Sequence, residues 1–191
     1  MSHGILLQKS CVANDVVAYN RFAMTSSSVD IDNGNVFRLD TQNLYNSSGS
    51  SGYSEVWDVL APSTTGSNMD GLWMANQESP NTTVDGSYEY RGLNDDPRNF
   101  YNIGGDVFSA FKPQVGDIIE LSADCFVNTF STNVYAHSGS SVYTLYWSDT
   151  AATGSRMSFK YLATTYFSIG TGALDNQRVT AYKLECVDNY G

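Results

Sequence analysis

The stretch Met157–Ile169 alternates apolar and polar side chains over thirteen residues, and this pattern limits the fold more than any other. Met157, Phe159, Tyr161, Ala163, Thr165, Phe167 and Ile169 point one way. Ser158, Lys160, Thr164 and Ser168 point the other, with Leu162 and Tyr166 as exceptions. A period of two places successive side chains on opposite faces of an extended backbone. The stretch therefore predicts a long half-buried strand, or two strands with a bend. A helix would need apolar residues at i, i+3, i+4 and i+7, and the chain sustains that stripe nowhere.

The same period recurs. Asp117–Val127 sets Ile119, Leu121, Ala123, Cys125 and Val127 inward and Glu120, Ser122 and Asp124 outward. Val179–Val187 sets Tyr182, Leu184 and Cys186 against Lys183 and Glu185. Shorter candidates are Asp15–Tyr19, Asn35–Leu39, Ser54–Leu60, Gly71–Ala75, Asp106–Phe111 and Ser141–Trp147. Turn residues fall between them. Asp32-Asn33-Gly34-Asn35 predicts a hairpin, since Asn and Gly tolerate the positive φ of a type I′ turn. Pro113-Gln114-Val115-Gly116-Asp117 sets a φ-locked Pro at a turn start and a Gly before the next strand. Ser47–Gly52 and Ser138–Ser141 read as flexible loops. About nine strands at this spacing predict an all-β fold, a single β-sandwich or β-barrel domain over residues 15–191. Residues 1–14 carry Ile5-Leu6-Leu7 and no alternation. They read as a short extended N-terminal arm, frayed or ordered only against a partner.

Charge removes several function classes. The 191-residue chain holds 10 Lys and Arg against 20 Asp and Glu, a net charge of −10. Sequence-independent nucleic-acid binding needs cations to displace phosphate counterions, so no nucleic-acid partner is expected. Docking on an anionic membrane is disfavoured for the same reason, and no apolar run is long enough to span one. Met1–Lys9 lacks a basic n-region and does not read as a signal peptide. Cys11, Cys125 and Cys186 are odd in number and far apart, and read as buried apolar residues of a reducing compartment. A Cys125–Cys186 bridge stays open.

Catalytic motifs are weak. His137 lies beside Ser138, Ser140 and Ser141, but sequence neighbours rarely reach nucleophile–base geometry, and no G-x-S-x-G elbow exists. Asp95 and Asp96 are adjacent, whereas glycosidases hold two carboxylates about 5–9.5 Å apart across a sugar. Asp30–Gly34 resembles the start of a calcium loop, but Gly34 falls at the fifth position rather than the sixth. Asn46 and Asn81 sit in glycosylation sequons that carry little weight without a secretory signal. No enzyme, no cofactor and no metal is expected. Trp73 and Trp147 could instead form a glycan-facing platform, which is the alternative reading as a carbohydrate-binding or adhesin-like module.

The order of segments resembles tailed-bacteriophage head decoration (capsid cement) proteins. Ser28–Leu39 is similar to their "dNG-v-v-L" opening hairpin, and Glu55–Val59 with Pro62 to their "E-V-Y-x-V-x-x-P" segment. Leu72–Pro80 resembles their apolar strand ending in a Ser-Pro turn. Tyr101–Phe111 followed by Gly116–Ser122 resembles their "aG-x-x-x-R-a … GD-x-f-x-l-t" pair, and Val179–Val187 their closing strand. Phe111 or Lys112 stands where a basic residue is often found, and Ser47–Gly52 lengthens an early loop. The resemblance implies a virion protein made in the bacterial host cytoplasm, bound to the major capsid protein on the outer capsid surface. It implies a homo-oligomer, a trimer being the form that clustering at capsid symmetry axes would give. Ile5, Leu6 and Leu7 are the first lattice-contact candidates, because adjacent apolar residues outside a strand need a partner. Asn99, Phe100 and Tyr101 are the second.

Overall fold

The computed structural model describes residues 3–11, 19–25, 28–44, 56–63, 71–77, 100–150, 157–169 and 177–189. Over these residues the chain is all-β. Its strands are β1 (Leu6–Ser10), β2 (Asn20–Met24), β3 (Val36–Leu44), β4 (Val56–Leu60), β5 (Trp73–Ala75), β6 (Val107–Phe111), β7 (Ile118–Ser122), β8 (Tyr135–Ser138), β9 (Leu145–Ser148), β10 (Ser158–Ile169) and β11 (Gln177–Asp188). Strands β2 to β6 close a barrel in the order β2-β4-β3-β5-β6. The other six form a sheet in the order β1-β7-β11-β10-β8-β9. The sheet thus takes one strand from before the barrel and five from after it.

The expected arm is part of this sheet. Leu6–Ser10 pairs antiparallel with β7, Leu6 opposite Leu121 and Gln8 opposite Ile119, with a bulge before Ser10. Two other strands, β2 and β8, are also absent from the sequence reading. Each is short and only partly buried, so alternation has little length over which to show. Strand β7 ends early as well. After Ser122 the backbone tightens into a 3-10 turn, Ala123–Cys125, which keeps Cys125 buried but leaves Val127 exposed. Glu120 and Ser122 are buried rather than outward. Strand β7 lies between β1 and β11, and Ser122 Oγ accepts the Ile5 N–H at 2.9 Å.

One core joins sheet to barrel. Along β5, Trp73 and Ala75 pack inside the barrel with Phe37, Val59, Phe108 and Ala110. Met74 between them points outward and joins Val36, Leu72 and Phe111 against Ile119, Leu121, Leu145, Phe159 and Leu184 of the sheet. The two-residue period lets one strand supply both cores. Polar clamps add to it. Asn189 accepts from Leu72 N–H at 2.8 Å and donates to the carbonyls of Leu72 and Pro113 at 3.0 and 2.8 Å.

The long hairpin contains the bend that its alternation predicts. Tyr161 pairs with Leu184 and Ala163 with Lys183, so Leu162 is a bulge without a ladder partner and is exposed. The bulge divides the apolar set between two faces. Phe159 joins the sheet–barrel core, whereas Phe167 joins a separate cluster with Ile5 and Ala181. Strand β8 covers only Ser158–Lys160 of β10, and β7 only Ala181–Glu185 of β11. The rest of the hairpin is a two-stranded ribbon.

Two turns show how glycine fixes the path. Asn35 N–H donates to Asp32 O at 3.1 Å, Gly34 has φ +86°, and Asn33 is not left-handed. This is a type II turn and not the type I′ hairpin expected. The strand it feeds pairs with β4 and β5, while Ile31 bridges to Asn102. Gln114–Asp117 closes in the same way, with Gly116 at φ +95°. A Cβ on Gly34 would lie 2.8 Å from Leu121 Cδ2 and 2.9 Å from Cys125 Sγ, whereas one on Gly116 meets nothing within 4 Å. Gly34→Ala is therefore expected to cost about 2–4 kcal/mol, backbone strain plus overpacking. Gly116→Ala is expected to cost about 1–2 kcal/mol, strain alone. Urea denaturation of the two variants checks the difference.

Candidate functional site

The N-terminal segment is fastened at a polar junction. His3 Nδ1 lies 2.8 Å from Asp32 Oδ1, and Gly4 N–H donates to Asp32 Oδ2 at 3.2 Å. The His3 ring stacks on Tyr101 with centroids 4.6 Å apart. Ser122 N–H donates to Ile5 O at 2.9 Å, and the Cys125 thiol reaches Ile5 O at 3.7 Å. Gly4 fits because a Cβ there would come within 2.7 Å of Asn33 O. Asp30 is engaged nearby, accepting Gly104 N–H at 2.9 Å, so both carboxylates of the calcium-like segment hold backbone or ring N–H groups.

This junction corrects the first contact candidates. Ile5 and Leu6 are buried against the chain's own sheet, and only Leu7, 42% exposed, faces solvent. Their partner is β7, more than a hundred residues away in sequence. Of the second group, Phe100 is half-buried and Tyr101 is half-buried under His3. Asn99, Asp95 and Asp96 lie outside the described residues, as do the two sequons and the Ser47–Gly52 loop. The glycan-platform tryptophans are not displayed either. Trp73 sits inside the barrel with the Arg21 guanidinium 5.8 Å from its ring centroid. Trp147 is 4% exposed, stacked on Phe126 at 4.4 Å and crossed edge-on by Phe130 and Tyr182.

The nucleophile candidates are not poised for chemistry. His137 Nδ1 lies 3.1 Å from the carbonyl oxygen of Ser138, not from a serine hydroxyl. The three cysteines are free and buried. Burial pushes Cys125 and Cys186 up to about 12 and Cys11 up to about 11, so each stays a neutral thiol near pH 7. Among the described residues, no cluster of three or more His, Cys, Asp or Glu could hold a metal ion, and no helix is long and apolar enough to cross a membrane.

What the surface does offer is an apolar face on the barrel wall. Met24 of β2 stands directly opposite Val107 of β6, and Phe22 lies two residues along on the same side. Phe22 is 57% exposed and Val107 47% exposed, while their neighbours Ala23 and Phe108 are buried inside the barrel. Ile103, in the turn leading into β6, is exposed four residues before Val107. Sequence reasoning missed this face because β2 is five residues long. Its apolar residues can be assigned to the wall only once the barrel is closed.

Two outcomes are expected. Asp32→Ala removes the acceptor for both His3 and Gly4, and should cost about 1–3 kcal/mol while speeding amide exchange through β1. The second concerns pH. A thiol whose pKa is raised in the fold stabilises it fully below the unfolded value of 9.0 and loses that contribution as pH rises toward the folded value of about 12. Stability should hold from pH 7 to about 8.5 and fall above about 9, with Cys125 contributing about 1.4 kcal/mol per pH unit. Urea midpoints measured in reductant, with Cys125→Ala giving a shallower alkaline decline, check it.

No protein-family pattern, no curated protein and no solved structure matches this chain.

Proposed function

We propose that this chain is a single-domain structural protein of a phage head, bound through contact to the outer surface of the capsid lattice and stabilising the mature shell. The observation that carries the reading is the apolar face of exposed Phe22 and Val107, with half-buried Met24 between them, on the wall of a closed barrel. Closure satisfies the backbone of those strands internally, and among the described residues Phe22 and Val107 belong to no buried core cluster. The order of segments that resembles capsid decoration proteins supplies the partner.

The physics suits such a role. A protein that binds the assembled shell and not its free subunits stabilises the shell by mass action. Repeated sites allow modest affinity at each. A net charge of −10 keeps the protein soluble and off nucleic acid.

Co-sedimentation tests the reading. The protein is mixed with mature capsids lacking it and, separately, with unassembled capsid subunit. Saturable binding to capsids alone is expected. Phe22→Ser with Val107→Ser should weaken it by about tenfold or more, leaving thermal unfolding within about 1 kcal/mol because both residues are exposed. Binding to neither form, or undiminished binding of the double variant, overturns the proposal. Deleting residues 1–14 would be a poor test, since it removes a strand of the sheet.

A further inference from the structure

On the side of the sheet that packs against the barrel, the hairpin carries a row of tyrosines. Burial pushes the Tyr182 phenol up, and the neighbouring Tyr161 and Tyr166 add to the shift. Tyr182 pairs with Thr164, and Tyr166 with Thr180, so hydroxyls and rings alternate along the ribbon. Tyr161 Oη and Thr164 Oγ1 are 2.9 Å apart. At one end of this row Phe130 closes over, its ring 4.8 Å from Tyr161 and 5.1 Å from Tyr182. Between Phe130, Asn128, Thr129 and the rings of Trp147 and Tyr182 is a cleft of about 130 Å³.

The chemistry of this surface is narrow. No Lys, Arg, Asp or Glu lines the cleft. Its groups are aromatic rings, hydroxyls and an amide. Asn128 is held rigid, accepting from Trp147 N–H at 2.7 Å and donating to Trp147 O at 3.0 Å. Rings supply flat apolar faces, and hydroxyls both donate and accept. The complement is a neutral molecule with C–H faces and many hydroxyls. A cleft of this volume holds one ring of it, and the tyrosine row continues the surface outward. An apolar peptide side chain would use the rings but leave the hydroxyls unmatched.

We infer that this cleft and the tyrosine row beside it form a binding site for a neutral saccharide, one pyranose ring seated at Phe130. The site is separate from the barrel face invoked for the capsid and does not depend on that reading. It also differs from the tryptophan platform expected from the sequence. Trp147 forms the buried floor, half-buried Phe130 lines the cleft, and Tyr166 is the exposed ring of the row beside it.

The probes are neutral disaccharides, maltose, cellobiose, lactose and chitobiose, titrated into isotope-labelled protein and followed by NMR. At least one is expected to give saturable shifts confined to residues 126–130, 161–166 and 180–182. A dissociation constant on the order of 1 mM fits a ligand of this size. Tyr166→Ala should weaken binding by about fivefold to tenfold without disturbing the fold, because Tyr166 is exposed. Phe130→Ala should weaken binding at least as much, with some loss of stability from its packing on Trp147, Tyr161 and Tyr182, while Val115→Ala, in a remote turn, leaves binding unchanged. No shift from any of the four at about 20 mM overturns the inference. So does undiminished binding in both aromatic variants. Equal or tighter binding of p-cresol, a ring with a single hydroxyl, also overturns it, by showing an unselective apolar cleft. None of these outcomes touches capsid co-sedimentation.

Discussion

The turn Asp32–Asn35 holds the two β units in register. Its first three residues engage other parts of the chain, and the fourth closes the turn. Asp32 takes the N-terminal segment through His3 and Gly4. Asn33 clamps Gln77, donating to its carbonyl at 2.8 Å and accepting from its N–H at 2.9 Å. Gly34 N–H donates to Ala75 O at 3.0 Å, with its α-carbon packed beneath Leu121 and Cys125. Asn35 Oδ1 accepts Asp32 N–H at 3.0 Å and closes the loop on itself. A left-handed glycine at the centre lets the sheet's core approach within van der Waals distance. The N-terminal strand, the barrel and the 3-10 turn after β7 therefore meet at one point.

That point was half legible in the sequence. Asn33-Gly34 announced a turn, because few other dipeptides accept its backbone. The turn type was not legible, since Asn33 turned out not to be left-handed, and the choice depends on what the flanking segments pair with. The same divide separates the strands. Met157–Ile169 is long enough for its period to show locally, and Pro113–Asp117 fixes its turn with residues that act on their own backbone. Ile5-Leu6-Leu7 is different. Its burial comes from Leu121 and Ser122, brought alongside by topology. A three-residue apolar run cannot reveal a partner so distant, so an unpartnered arm was the natural reading of a paired strand.

Edge management follows the same logic. The barrel has no edge. At the β9 end of the sheet, Val127 N–H donates to Leu145 O at 2.9 Å, and the Asn128 amide then takes both backbone groups of Trp147. A side chain thus continues a ladder that the backbone begins, and no further strand can add there. At the opposite edge β1 carries Lys9, paired with Glu120 across the strands at 3.2 Å, next to its bulge. Charge and irregularity are both obstacles to edge-to-edge association. Asn128 gave no signal in the sequence, because an Asn in a loop reads as a turn former.

The two outer strands of the sheet are thus blunted against further pairing, while among the described residues the hairpin beyond β8 and β7 keeps open edges. The faces differ in chemistry. The barrel wall offers Phe22, Met24 and Val107, an apolar set suited to a dry protein interface. The hairpin offers tyrosine and threonine hydroxyls over rings, suited to a wet and adaptable one. On the opposite side of the sheet, Lys183 lies across from Glu120 and Lys160 across from Glu185, cross-strand pairs of opposite charge. Among the described residues, the barrel wall and the tyrosine row are the two faces on which binding is proposed.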